Sequence, residues 1–240
     1  ARTALPVLLV DGVPHADRTQ SETFFAAAAL TPKTNESPWV HARVVSADEF
    51  TVDVLADVEV VVLADVAKLT REQASLLHGF VPHGGGLLIA PGSHVDAESY
   101  RRLMFDLLPA TLKSIDNASA EGQPLRISSA SLEGPWLQRF GDDSDLPQTR
   151  ISKAWKTGPL SDHTVESAPA ADSTPTARDA KLSHQRPDSA SRIIARLEDG
   201  TAFLTERSVG HGRVMLMSVP LDADWSNLPT RSDYVAFLHE

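Results

Sequence analysis

The sequence predicts an α/β fold with a mainly parallel central sheet. Two patterns carry that expectation. Short apolar runs alternate with helical stripes from residue 5 to residue 109, the spacing of βαβ units with right-handed crossovers. The run Gly84-Gly85-Gly86-Leu87-Leu88-Ile89-Ala90 then breaks at Pro91-Gly92-Ser93-His94, as a buried strand does when its carboxyl end opens onto a loop. In open parallel sheets that edge is where ligands bind.

The elements follow in order. Val7-Leu8-Leu9-Val10 is a first buried strand, ended by Asp11-Gly12. Thr19 and Glu22 have capping-box spacing ahead of a helix carrying Phe24, Phe25, Ala28 and Ala29, which stops before Pro32. His41 to Val45 is less apolar and is expected near a sheet edge; Ser46 and Glu49 repeat the capping spacing. Val58 to Ala64 is the most β-branched strand, with Asp65 at its end. Thr70 and Gln73 cap a helix that runs to Pro82. The glycine run Gly84 to Gly86 precedes a strand, not a helix, so it reads as a helix C-cap and turn and not as a phosphate cradle. Asp96 caps a further helix with Tyr100, Leu103, Met104, Leu107 and Leu108 inward.

Beyond Pro109 the pattern changes. Leu125-Arg126-Ile127 is a short strand candidate, Pro135 to Phe140 a helical turn with a buried aromatic, and Arg150 to Lys156 an exposed strand. Residues 161–191 are rich in Ser, Ala, Pro, Asp and Thr and predict a mobile loop that holds His163 and His184. A hairpin follows around Asp199-Gly200, Gly210-His211-Gly212 makes a second turn, and Arg213 to Val219 is expected to return to the parallel sheet. Trp39, Trp136, Trp155 and Trp225 read as aromatic packing groups. The chain 1–240 is thus expected to be one domain. Its core is 5–109 and 210–240, with an insertion and β-hairpin region over 110–209 that holds the flexible loop 161–191.

Composition excludes several classes. A formal charge of −10 argues against nucleic acid and against an anionic membrane surface. The absence of cysteine removes thiol catalysis, disulfides and Cys-based metal sites. No apolar run is long enough to span a bilayer, so no direct membrane insertion is expected of this segment. Asn35-Glu36-Ser37 and Asn117-Ala118-Ser119 match the N-glycosylation pattern, which chance produces often. Both ends read as cut from a longer protein.

The segments Val7 to Gly12, Ser21 to Pro32, Val58 to Asp65, Thr70 to Asp96 and Gly210 to Pro229 together resemble a class I glutamine amidotransferase-like domain. The resemblance is to its ThuA-like branch and to the domains of large bacterial aerotolerance (Bat-type) membrane proteins that carry a von Willebrand factor A module. It implies a flavodoxin-like three-layer fold. It also implies a membrane-anchored parent protein facing the periplasm. Working members place a cysteine in an elbow after the glycine-led strand; here that place holds Ala90-Pro91, and Val219-Pro220-Leu221-Asp222 lacks the family's histidine. Glutamine hydrolysis by the family mechanism is therefore not expected.

Asp11, His15, Asp65, Ser93, His94, Asp222 and Asp224 all follow predicted strands, and a parallel sheet would gather them on one rim as a candidate ligand-binding site. Ser93 is the best replacement nucleophile, with His94, His15 or His211 as base and Asp222 or Asp224 to orient it; helix shaping is the competing role. Carboxylates and imidazoles on one rim also suit a divalent metal, although no local ligand spacing supports one. The expected function is a non-catalytic binding or interaction domain, without cofactor, whose partner is another domain of the parent or a small polar ligand. The alternative is a hydrolase acting through Ser93 or a bound metal.

Overall fold

The computed structural model describes residues 4–31, 39–120, 122–141, 143–160 and 190–240. Along the chain lie β1 (Leu5–Asp11), α1 (Phe24–Leu30), β2 (Val40–Ser46), β3 (Val60–Ala64), α2 (Arg71–Phe80), β4 (Gly86–Ala90) and α3 (Ala97–Met104). They are followed by β5 (Thr111–Asn117), β6 (Ser119–Ala120), β7 (Gln123–Pro124), α4 (Pro135–Gln138), β8 (Lys153–Gly158), β9 (Arg192–Arg196), β10 (Ala202–Val209), β11 (Gly212–Met217) and α5 (Tyr234–Leu238).

A seven-stranded sheet of order β2-β1-β3-β4-β11-β10-β9 organises the molecule. The first five strands in that order are parallel; β10 and β9 are antiparallel additions. The expected α/β fold on a mainly parallel sheet is therefore what forms, with β2 at an edge and β4 central.

Strand alternation builds the core. Val7 and Leu9 of β1, with Val62 and Ala64 of β3, join one apolar cluster together with Ala26 and Leu30 of α1 and Phe237 of α5. Leu8, Val10, Val61, Leu63, Leu87 and Ile89 point the other way, to Leu77 of α2 and to Tyr100 and Met104 of α3. Both sides of each central strand are thus buried, which is why these segments read as continuous apolar runs.

The predicted punctuation is present. Thr70 Oγ1 accepts from Gln73 N at 3.1 Å while Gln73 Oε1 accepts from Thr70 N at 3.0 Å. Asp96 accepts from Glu98 N and Ser99 N. Gly84 turns at φ +117° after α2, a conformation that suits glycine.

Three expectations are corrected. The region 110–209 is not wholly an insertion, because β9 and β10 extend the main sheet. The turn at Gly210-His211 folds β10 straight back onto β11, and Ala202 to Thr205 are buried at successive positions, as a strand covered on both faces requires. Arg150 to Lys156 is not an exposed strand: β8 buries Ala154 and Trp155 and pairs with β5. The Trp155 indole donates to Gly92 O at 3.1 Å, which anchors the ring beneath the β4 loop. Trp39, expected to pack, is 67% exposed. The predicted loop 161–191, with His163 and His184, lies outside the described residues except for Ala190 and Ser191, as does Asn35-Glu36-Ser37.

Two glycines test this packing. A Cβ on Gly12 would lie 2.0 Å from the Asp65 carbonyl oxygen, whereas one on Gly79, exposed on α2, meets nothing within 4 Å. Gly12→Ala is expected to destabilise the domain by about 3 kcal/mol, and Gly79→Ala to stabilise it by about 0.5–1 kcal/mol. Urea unfolding of both variants checks the contrast; equal effects would mean that the β1 and β3 loops do not touch as described.

Candidate functional site

Parallel pairing places the carboxyl ends of β1, β3, β4 and β11 on one rim, and with them the residues that follow each strand. Asp65 is the first residue after β3. It sits at φ +43°, in the left-handed region that aspartate tolerates better than most residues, and it is almost fully buried. Its N–H donates to Ala90 O at 3.0 Å. Its Oδ1 accepts from Gly92 N at 3.0 Å and from His94 N at 3.1 Å. His94 Nδ1 lies 2.7 Å from Oδ2. With a carboxylate as partner, Nδ1 is the donor. The imidazole is 57% exposed.

Asp11 ends β1 and is also buried. Its Oδ1 accepts from Val13 N at 3.0 Å and its Oδ2 from Thr23 Oγ1 at 2.9 Å, tying the strand end to the start of α1. Thr19 and Glu22 do not form a capping box. Asp17 caps the short turn Arg18–Gln20 instead, accepting from Thr19 N and Thr19 Oγ1. Glu22 is freed from that role and turns inward.

Glu22 is the site residue that the sequence reading passed over. It is 9% exposed, and its Oε2 is buried with no hydrogen-bond partner. Donor atoms of Glu22, Asp65 and His94 lie within 4.8 Å of one another. Burial, and then the neighbouring charges of Asp222, Asp65 and Asp224, push the Glu22 carboxyl up to about 8. Burial raises Asp222 as well, opposed in part by the bond that its Oδ1 accepts from Asp224 N at 3.1 Å. No lysine or arginine pairs with Glu22, Asp65 or Asp222 among the described residues.

Of the seven predicted rim residues, Asp65 and His94 are joined directly, and Asp222 and Asp224 lie close enough to act on Glu22. Asp11 faces backbone and Thr23. His15 is exposed and its Nδ1 accepts from Asp17 N at 3.2 Å, a local turn contact. Ser93 is exposed, and its hydroxyl makes no hydrogen bond to a histidine among the described residues. The only local clue to Glu22 was its place between the first strand and the first helix, and its capping spacing to Thr19 masked that clue.

A separate apolar cavity of about 290 Å³ lies over one face of the sheet, lined by Leu5, Val60, Leu88, Met215 and Trp136 among others. It reaches toward the strand starts, whereas the rim acids follow the strand ends, and it brings few polar groups together.

No protein-family model and no curated protein matches the chain. Solved structures do resemble it. Cytoplasmic protein STM1381 from Salmonella typhimurium LT2 matches with a TM-score of 0.63 at 15% identity, over 98% of both chains. Cytoplasmic protein STM3548 from Salmonella typhimurium matches with a TM-score of 0.60 at 12% identity, over 96% of this chain and 94% of that one. The polyextremophilic beta-galactosidase from the Antarctic haloarchaeon Halorubrum lacusprofundi matches with a TM-score of 0.54 at 14% identity, over 98% of this chain but only 30% of its own length. At these identities the likeness shows the shared α/β fold alone.

The buried Glu22 makes stability depend on pH. An unfolded chain ionises this carboxyl near 4.5, while the folded chain holds its proton to about 8. The folded state therefore binds the extra proton, and its stability declines as pH rises between those values. Glu22→Gln keeps the shape and cannot ionise. In EDTA its advantage over the wild type is expected to grow by about 3 kcal/mol between pH 5 and pH 8. Urea unfolding at the two pH values measures this; a difference that does not change with pH would show Glu22 ionised in the fold.

Proposed function

We propose that the chain is a non-catalytic binding domain of the class I glutamine amidotransferase-like, flavodoxin-like three-layer type, in its ThuA-like branch, using the rim of Glu22, Asp65, His94 and Asp222 as its binding surface. The observation that carries this reading is the condition of the rim. Ala90 and Pro91 stand where the family's nucleophile would be, and the chain has no cysteine. Asp11, Asp65 and Asp222 all accept from backbone N–H groups, so they shape the loops of the rim. Apolar residues on both sides of the sheet support the three-layer assignment. In this reading the domain belongs to a larger membrane-anchored bacterial protein and faces the periplasm. No helix among the described residues is long and apolar enough to cross a membrane.

One observation favours the hydrolase alternative: a buried carboxylate orients an exposed imidazole, the supporting half of a relay. The half that is wanting is a nucleophile on that imidazole. Assays of the purified domain separate the two readings. Glutamine is expected to release no ammonia, and p-nitrophenyl acetate and p-nitrophenyl phosphate to hydrolyse at the buffer rate, with and without added zinc or manganese. Turnover that disappears in His94→Ala or Ser93→Ala would overturn the binding-domain reading.

A further inference from the structure

We propose that Glu22, Asp65 and His94 form a site for a divalent transition-metal ion of the zinc or manganese type, with Asp222 as the neighbouring carboxylate. The inference rests on the reading of the rim as a binding surface and names what is bound there first. It begins with geometry. Ligand atoms around an ion at about 2.0–2.2 Å sit roughly 3.0–3.4 Å apart, and the three donor atoms here are already within 4.8 Å of one another. To ligate, the imidazole must offer a lone pair, so His94 would present Nε2 or move its proton from Nδ1 to Nε2 and open the bond to Asp65, and side-chain rotations would close the remaining difference.

The second observation is independent of that clustering. Glu22 is nine-tenths buried, its Oε2 meets no N–H or hydroxyl donor, and the group its carboxyl does bond is another carboxyl, that of Asp222. Two buried carboxyls facing each other need a shared proton or a cation between them. Its surroundings contain Asp65, Asp222 and Asp224, and no lysine or arginine pairs with Glu22, Asp65 or Asp222 among the described residues. A cation there gives Glu22 Oε2 its missing partner and the acidic group its missing counter-charge.

The donor set selects the ion. Two carboxylates and one imidazole suit zinc, manganese or iron better than calcium or magnesium, which favour oxygen ligands alone. Backbone bonds from Gly92 and His94 hold Asp65 in place, the kind of outer support that fixes a ligand before the ion arrives. The elements that contribute ligands are separate in sequence: the segment before α1, the end of β3 and the loop after β4. An ion would clamp them together at the rim, and the exposed side of His94 would leave a position open to a ligand from solvent.

Isothermal titration of the EDTA-stripped, dialysed domain with zinc chloride and with manganese chloride tests the site. One equivalent of at least one ion is expected to bind saturably and to raise the unfolding temperature. Glu22→Gln and His94→Gln are each expected to weaken binding by roughly 100-fold, while His211→Gln, an exposed histidine at the β10–β11 turn, binds like the wild type. Circular dichroism verifies that each variant is folded. Were Glu22→Gln unfolded, His94→Gln would carry the comparison, because its imidazole is largely exposed. Failure of the wild type to bind either ion, or wild-type affinity in the folded variants, overturns the proposal. That failure leaves the turnover assays above unchanged, so the metal site and the binding-domain reading fail separately.

Discussion

The structure depends on one carboxylate. Asp65 follows β3 at a positive φ, and its side chain returns to the loop after β4, where it takes the N–H groups of Gly92 and His94 and the Nδ1 of His94. Two neighbouring parallel strands are thereby joined at their carboxyl ends by side-chain bonds, beyond the last rung of backbone pairing. The arrangement demands small neighbours. A Cβ on Gly92 would fall 2.5 Å from the Asp65 carboxyl carbon, and Gly12 crosses the Asp65 backbone just as closely. Trp155 donates to Gly92 O, and Tyr100 donates to the carbonyl of Val66, the residue after Asp65. The exposed His94 imidazole is thus fixed by a buried network, which makes it a positioned group and not a loose surface histidine.

The same placement sets the electrostatics of the rim. Burying Asp65 puts a carboxylate beside the place where Glu22 enters from the α1 side, and Asp222 and Asp224 arrive from the end of β11. Parallel strands bring such residues together whether or not each is favourable there. Asp11 escapes the cost because Val13 and Thr23 satisfy it. Glu22 does not, and the molecule answers by holding its proton. A carboxyl that the fold keeps near neutrality is poised between proton and cation, which is how a site without a fixed positive charge becomes responsive to what is dissolved around it.

Much of the fold was legible in the sequence because strand burial and helix capping are local signals. Val7 to Val10, Val58 to Ala64 and Leu87 to Ala90 announce themselves by apolar runs, and Thr70 with Gln73 and Asp96 with Ser99 by spacing. What was not legible depended on tertiary partners. The Asp199-Gly200 turn marks a hairpin, but nothing in it says that β10 will also pair with β11 and widen the main sheet. Arg150 to Lys156 looks amphipathic and exposed until Gly92 O and Ser218 O are seen to bind Trp155. Asp65, His94, Asp222 and Asp224 could be placed on one rim from topology alone. Glu22 could not, since it follows no strand and its capping spacing gave it a sufficient local role.

Along β4 the chain carries no reactive side chain: Ala90-Pro91 is followed by Ser93. Ser93 lies one residue from a well-oriented imidazole, but its hydroxyl makes no hydrogen bond to His94 among the described residues. The groups that do converge are carboxylates from three separate segments around one imidazole. Such a set has the donor chemistry to hold a cation, and through the cation's open positions a further ligand.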